Sequence, residues 1–477
     1  MTGNGLIISQ NSEYRRQKQD WIPAFAGMTT RGSMEIKAFR AWRFDKKIVG
    51  NAGDCIAPPY DVISDKQQTQ LYKKNKYNIV RIDRGKVTPA DNETENVYTR
   101  AADYLHKWIK AGVLKQDAAD NIYAYVQDFE AAGDSWQRSG FVALGKLEEF
   151  GTGVRPHEKT LEGPKADRLK LTRATATQFG QIFMLYDDPK KVADKIIKKT
   201  TATLRSGRAT QKPLINMVDE DGVRHRLYPI ADAKDINTIV KTMTDKATVI
   251  ADGHHRYETA LNYFHETGNP AAKYQMMTFV NMRNKGLIIL PTHRLVGNLE
   301  GFDIQKLLKK LAGDFAITSY PFGSAKDKSA AREKMFVAMR AVFKKGGVAF
   351  GIYAKDKRFY TAVLVNDAAM DAVAGNMSKA WRSLDVSVLH KLILEKFLGI
   401  GEKQLASESN IEYIKDVGNA IDESIASVDG EKNQVVFFMN PTRIEQVQQV
   451  AAAGEKMPQK STFFYPKIFT GLTINKL

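Results

Sequence analysis

The chain has 477 residues, 43% hydrophobic and 26% charged, with 71 Lys and Arg against 54 Asp and Glu and a formal net charge of +17. These proportions belong to a folded globular protein and exclude collagen-like, low-complexity and fully disordered classes, while the length calls for two or three domains. The single cysteine, Cys55, excludes intramolecular disulfides and multi-cysteine zinc or iron–sulfur sites, and fits a reducing, cytoplasmic compartment.

Residues 1–33 differ from the rest. Arg15, Arg16 and Lys18 precede any apolar run and no long apolar segment comes after them, which is not the pattern of a secretory signal. Trp21-Ile-Pro-Ala-Phe-Ala-Gly-Met-Thr29 resembles the translation of a dispersed repeat element found beside bacterial reading frames, so Met34 is read as the true start and 1–33 as a non-native or disordered extension. It carries four basic and two acidic residues, so leaving it out lowers the charge by two. No window approaches the ~18 consecutive apolar residues of a membrane span.

Residues 34–150 read as an N-terminal α/β part. Ile79–Ile82 is predicted as a strand, 97–109 as a helix stopped by Gly112, and 121–129 and 141–144 as paired strands. The central part, 151–300, opens with a charge-rich stretch, 151–180, predicted as a functional loop. Strands come next at 181–186, 227–230, 248–251 and 287–290, with a basic helix at 189–205 and another helix at 255–265. From about 300 the C-terminal α/β part, 301–477, restarts as helix, strand, strand, helix. Alternating strands and helices give a mixed α/β (α+β) protein.

The sharpest motif is Val249-Ile-Ala-Asp-Gly-His-His-Arg-Tyr-Glu-Thr-Ala260, a strand running through a tight Asp252-Gly253 turn into a helix. Helix N-termini expose unpaired N–H groups and partial positive charge, an arrangement that binds phosphate. Gly253 permits close backbone approach. His254, His255 and Arg256 crowd the first turn with cation-capable groups, which oppose the helix dipole unless an anion is present. A second cluster, Val154-Arg-Pro-His-Glu-Lys-Thr160 with Pro164-Lys-Ala-Asp-Arg168, supplies His157, Glu158, Lys165 and Arg168, equipment for acid–base work and polyphosphate or Mg²⁺ binding, or a solvated charged loop. His157-Glu158 lacks the second His of a zincin, since Leu161 occupies that position. Ala57-Pro-Pro-Tyr-Asp-Val-Ile63 is a rigid turn that fixes Tyr60 and Asp61. Pro458-Gln-Lys-Ser-Thr-Phe-Phe-Tyr-Pro-Lys467 places Lys460 and Lys467 near the C-terminus. Gly140-Phe-Val-Ala-Leu-Gly-Lys-Leu147 is not a P-loop, because Leu147 replaces the Mg²⁺-holding Ser or Thr.

Together with Leu290-Pro-Thr-His-Arg294 and Leu384-Asp-Val-Ser-Val-Leu-His390, these motifs resemble, in order, domain-of-unknown-function family 1015. Asp-Gly-His-His-Arg before a helix is also similar to the phosphate-binding motif of the ParB/sulfiredoxin-like fold, and most similar to the Asp-Gly-His-x-Arg form of free-serine kinases. The resemblance implies a ParB/sulfiredoxin-like core carrying an inserted segment. It implies a phosphotransferase in which Asp252, Gly253, His254, His255 and Arg256, helped by Lys165, Arg168 and Lys460, bind ATP, ADP or pyrophosphate with Mg²⁺. A small hydroxyl metabolite, free serine included, would be the acceptor, with Asp61 or Glu158 as base and His157, His254 and His255 completing the catalytic set. The competing reading is a nucleic-acid-binding, ParB-like regulator without catalysis. Scattered basic residues and the lack of a helix-turn-helix signature count against it. A sulfiredoxin-type reductase is excluded because histidines stand where its nucleophilic cysteine would be.

Overall fold

A computed structural model describes residues 33–131, 133–151, 153–158, 162–202 and 211–477. The expectation for residues 1–33 therefore lies outside the described residues apart from Ser33, as does the expected end of the basic helix at 205. The chain is mixed α/β. It divides into two compact units, one formed by the described parts of Met1–Pro156, Leu161–Ile288 and Pro466–Leu477, the other by those of His157–Thr160 and Ile289–Tyr465.

The first unit is organised on a sheet of nine strands among the described residues: β1 (Ile36–Lys37), β2 (Ile122–Ala131), β3 (Asp134–Lys146), β4 (Val154–Arg155), β5 (Ile182–Tyr186), β6 (Ile215–Val218), β7 (Arg224–Ile230), β8 (Thr248–Asp252) and β9 (Tyr274–Asn281). Their order is β4-β8-β5-β9-β3-β2-β7-β6, with β1 also on β3. The β4–β8 and β5–β9 pairs are parallel, the rest antiparallel. Helices α1 (Val97–Lys110), α2 (Glu162–Thr175), α3 (Val192–Thr201), α4 (Ala233–Met243) and α5 (His254–Thr267) complete its main frame.

Side chains alternate across each strand. On one face Ile122, Ala124, Val126, Phe141, Ile182, Met184, Ile250 and Phe279 pack with Ile196 and Ile197 of α3, Ile239 and Met243 of α4 and Tyr257 and Leu261 of α5. The opposite phase of β2 carries Tyr123, Tyr125 and Gln127, and it is met by the C-terminal segment 466–477. A second core joins Leu105 and Trp108 of α1, Leu171 of α2, the run Ile79, Val80 and Ile82, and Ile474.

Three local expectations are corrected. Ile79–Ile82 is not a strand; Val80–Asp83 is a short helix, started by the Asn78 side chain accepting from the Val80 N–H at 3.0 Å. A four-residue run with three buried apolar residues, Ile79, Val80 and Ile82, around a half-buried Arg81 is too short for its period to separate strand from helix. The stretch 151–180 is not a loop throughout, since it contains α2. The buried positions of α2 are Arg168, Leu171 and Thr175, so its inner face is largely polar and leaves no apolar stripe. In the second unit a long helix, Ala325–Lys344, separates the first strand from the next two, so the order after 300 is helix, strand, helix, strand, strand, helix.

The second unit centres on six strands, all antiparallel, in the order Phe315–Pro321, Arg358–Leu364, Ala349–Tyr353, Val435–Phe438, Thr292–Val296, Ile411–Lys415. Among the described residues no helix is long and apolar enough to cross a membrane.

Gly140 shows how tightly the first sheet is packed. A Cβ there would lie 2.5 Å from the Phe279 carbonyl oxygen and 2.7 Å from Val280 Cγ2. Gly140→Ala is expected to lower the stability of the chain by about 1–3 kcal/mol, read as an earlier denaturant midpoint.

Candidate functional site

The strand–turn–helix reading of the Asp252 motif holds. β8 ends at Asp252, Gly253 adopts φ +92°, and α5 begins at His254. The ladder between β8 and β5 slips at this point: Ile250 faces Met184, but Asp252, not Ala251, faces Phe183. A bulge of this kind re-aims the side chain next to it.

Two cations meet on Asp252. Lys467 Nζ donates to Oδ1 at 2.7 Å, and the Arg256 guanidinium donates to Oδ2 at 3.0 Å. Burial alone would raise the carboxyl's pKa, but Lys467, Arg256 and His254 outweigh it and hold it well below the usual carboxylate range. Arg256 also donates to the Gln181 carbonyl, so its plane folds back over the turn. A Cβ on Gly253 would lie 3.0 Å from Arg256 Nη2 and 3.1 Å from Cζ. Positive φ and this close approach both call for glycine.

Lys467 arrives on the C-terminal segment, which buried polar groups of the hairpin hold in place. Gln127 Nε2 donates to the Lys467 carbonyl at 2.9 Å. Arg138, fully buried, donates to the Pro466 carbonyl and, through Nε, to Gln127 Oε1 at 3.1 Å. Phe469 packs on the His225 ring at 4.2 Å between centroids, and His225 bonds Tyr125 Oη at 2.6 Å and Asp219 Oδ2 at 2.9 Å. Thr470 pairs with Ala57 just before the Pro58-Pro59 turn.

Beside Arg256 lies a narrow, solvent-open cleft of about 50 Å³, bordered by Tyr60, Asp83, Arg168, Gly180 and Thr470. Arg168 donates to Asp83 Oδ1 at 2.8 Å and to the Asp83 carbonyl at 2.9 Å, and through Nε to Asp167 Oδ2 at 2.8 Å. Its guanidinium carbon stands 3.8 Å from the centre of the Tyr60 ring, a cation–π contact. Burial raises the Asp83 carboxyl above its ordinary pKa, opposed by Arg168 and Arg256. Burial likewise pushes the Tyr60 phenol up. α2 is fixed for this purpose from both sides: Tyr98 of α1 donates to Asp167 Oδ1 at 2.8 Å, while Lys165 pairs with Glu258 at 3.0 Å and Arg173 with Glu266 at 2.7 Å on α5.

The predicted site residues divide accordingly. Asp252, Gly253, His254, His255 and Arg256 form the corner, with His254 buried and His255 half-buried. Lys165 and Arg168 stand in the same unit, in ion pairs with Glu258 and with Asp83 and Asp167. Asp61 comes directly after Tyr60 but is exposed. His157 and Glu158 belong to the second unit: His157 Nε2 bonds Thr462 Oγ1 at 2.8 Å, and Glu158 Oε1 accepts from the Thr462 N–H at 2.9 Å. Lys460 is an exposed turn residue of that unit with φ +56°, and its carbonyl accepts from Arg294 at 3.0 Å. Lys467, from the same sequence motif, is the lysine that reaches Asp252. Asp83 carries little local signal in the sequence beyond a carboxylate closing an apolar run, and sequence reasoning misses it. Cys55 is buried and its thiol is pushed up to about 12 by burial, which suits a structural residue.

Among the described residues no group of three or more His, Cys, Asp or Glu could hold a metal ion. Asp252, the carboxylate at the turn, is already engaged by two cations.

The family described as "Protein of unknown function (DUF1015)" matches residues 36–387. The chain belongs to this family. No curated protein matches it. Solved structures that resemble this DUF1015 member include a free serine kinase variant in complex with AMP, 13% identical over 66% of this chain and 87% of that one, TM-score 0.32. A conserved hypothetical protein from Pyrococcus furiosus is 14% identical over 67% and 91%, TM-score 0.29. SbnI with a C-terminal truncation, from Staphylococcus aureus, is 10% identical over 70% and 86%, TM-score 0.31. Likeness this weak transfers neither a site nor an activity to this protein.

Removing the Asp252 charge should leave Lys467 and Arg256 without their shared partner. Asp252→Asn is expected to cost roughly 1–3 kcal/mol at neutral pH. The depressed carboxyl pKa stabilises the fold above the ordinary Asp range near pH 4, and that contribution is lost as pH falls below it toward the folded value. Melting temperatures should therefore converge between the native chain and the variant on acidification, and a constant gap would contradict the linkage.

Proposed function

We propose that this protein is a phosphotransferase, with the Asp252–Arg256 corner as the seat of the donor's phosphates. The observation that carries this reading is the convergence of the Arg256 guanidinium and the Lys467 ammonium on one glycine corner at the start of a 14-residue helix. A phosphate entering there meets backbone N–H groups, the positive end of α5 and the two cations that Asp252 draws together. Arg256 offers a planar fork to phosphate oxygens, and Lys467 a point charge.

The resemblance of Asp-Gly-His-His-Arg to the free-serine kinases supports ATP, ADP or pyrophosphate as donor and a small hydroxyl metabolite as acceptor. In such a transfer the protein positions the two reactants and spreads the charge on the transferred group, and Arg256 and Lys467 are suited to that work.

Native chain should be stabilised thermally by at least one of ATP, ADP and pyrophosphate, since a ligand bound only by the folded state raises its melting temperature. Arg256→Ala should abolish that shift. Lys467→Met should weaken binding by about 10- to 100-fold, as expected for one charge-assisted hydrogen bond. An undiminished shift in Arg256→Ala would remove the phosphate site from this corner.

A further inference from the structure

The Arg256 cleft is not isolated. A wider, solvent-open cleft of about 730 Å³ runs between the Asp65–Lys74 helix, α1 and the start of α2. The two clefts share four residues: Tyr60, Asp83, Arg168 and Leu171. Their chemistry differs. The first borders Arg256 and, through it, the cation-rich corner. The second is walled by groups of both signs and by neutral polar groups, among them Asp65, Gln68, Arg84, Tyr98 and Asp167. Several are tied to one another: Arg84 to Asp65 at 3.2 Å, Gln68 to the Arg84 carbonyl at 2.8 Å, and Tyr98 to Asp167. A wall of mixed sign gives a polyanion no advantage, whereas it can pair with the varied polar groups of a small molecule.

From this geometry we infer that the wider cleft takes the phosphoryl acceptor, a small polar molecule bearing a hydroxyl, and that Asp83 at the junction is the base that receives the hydroxyl's proton. The inference rests on the phosphotransferase reading and adds to it an acceptor subsite and a base. Asp83 is 7% exposed and borders both clefts. Arg168 holds it by side chain and carbonyl, which fixes its orientation. The alternatives fit less well, because Asp61 is exposed and borders neither cleft, and Asp167 is engaged on both oxygens, Oδ1 by Tyr98 and Oδ2 by Arg168, where Asp83 takes Arg168 on Oδ1.

In the transfer step the acceptor oxygen forms a bond to the donor's terminal phosphorus while its proton passes to the Asp83 carboxylate. The bond between that phosphorus and the bridging oxygen breaks, and its electron pair leaves with the remaining phosphate, whose new charge Arg256 and Lys467 face. The groups acting on Asp83 are Arg168 and Arg256, which favour its ionised form, and Asp167 and Asp61, which oppose it; Tyr60 lies alongside. Burial raises its pKa toward neutrality, where a general base is most effective. The active form is the ionised one, so the rate should climb with pH through that pKa.

The test uses the full chain with ATP, ADP and pyrophosphate as donors and serine, glycerol and glucose as acceptors, reading donor binding by thermal shift and transfer by product formation. Asp83→Asn should leave the donor-induced shift intact and lower kcat by about 10²- to 10⁴-fold, with the acidic limb of the pH–rate profile lost. Asp83→Glu, which keeps a carboxylate, should retain that limb at a displaced pH, and it carries the test if the Asn variant fails to fold. Gln68→Ala should raise the acceptor KM about 10-fold or more while donor KM stays put. Donor binding with Asp83→Asn within about 3-fold of native kcat, or Asp83→Glu with an unmoved limb, overturns the base. Gln68→Ala acting on donor KM instead overturns the subsite. If no donor stabilises the native chain, or none is transferred to any acceptor, the phosphotransferase reading itself falls.

Discussion

One carboxylate organises this molecule's most informative region. Asp252 takes Lys467 on one oxygen and Arg256 on the other, and so joins three parts of the chain: the end of β8, the first turn of α5 and the C-terminal segment. Such a pair is costly to desolvate unless the remaining hydrogen-bonding capacity is used. Here it is used, since Arg256 spends a second bond on the Gln181 carbonyl and the segment bearing Lys467 is bonded by Gln127 and Arg138. The cations thus stay positioned whether or not an external anion is present. Ready-made positive charge of this kind is what binding without reorganisation requires.

Features whose residues lie close together in the sequence were legible in it. The Asp252 motif reads as strand, turn and helix because apolar Val249–Ala251, a left-handed glycine and the helical spacing of Tyr257 and Leu261 all point one way. The β2–β3 hairpin was visible for the same reason. Partnerships made across long separations were not legible. Lys467 stands 215 residues from Asp252, and Arg168 stands 85 from Asp83. No spacing rule relates such pairs, and a helix whose inner face is Arg168, Leu171 and Thr175 presents no apolar period to detect. His157 and Glu158 illustrate the converse. Their residue types could be read for acid–base work from the sequence, while their bonds to Thr462, 305 and 304 residues away, could not be read there.

The surplus of basic residues takes on a different meaning in three dimensions. Part of it points inward. Arg138 and Arg294 are among the largest fully buried side chains, and each directs its guanidinium at main-chain carbonyls, Pro466 for the first, which also bonds Gln127 Oε1, and Thr292 and Lys460 for the second. A guanidinium offers five donors in a fixed plane, so one side chain can satisfy several carbonyls that no regular ladder reaches. Burial lowers the pKa of both to about 10, still far above neutrality. These arginines act as internal struts for irregular backbone and contribute little to the outward field that would attract a large polyanion.

The single-residue slip between β8 and β5 sets the phase of the Asp252 corner. Strand faces alternate with a period of two, so a regular ladder through Ala251 would swap the faces on which Ala251 and Asp252 project. The extra residue keeps Val249 and Ile250 in their strand phases and changes the phase only from Ala251 onward. The same chain paired without the slip would set Asp252 opposite Ile182, on the face that Ile182, Met184 and Ile250 give to the apolar core, and so away from both cations. The aim of the carboxylate is therefore written in the backbone, as one residue more on β8 than on the facing stretch of β5.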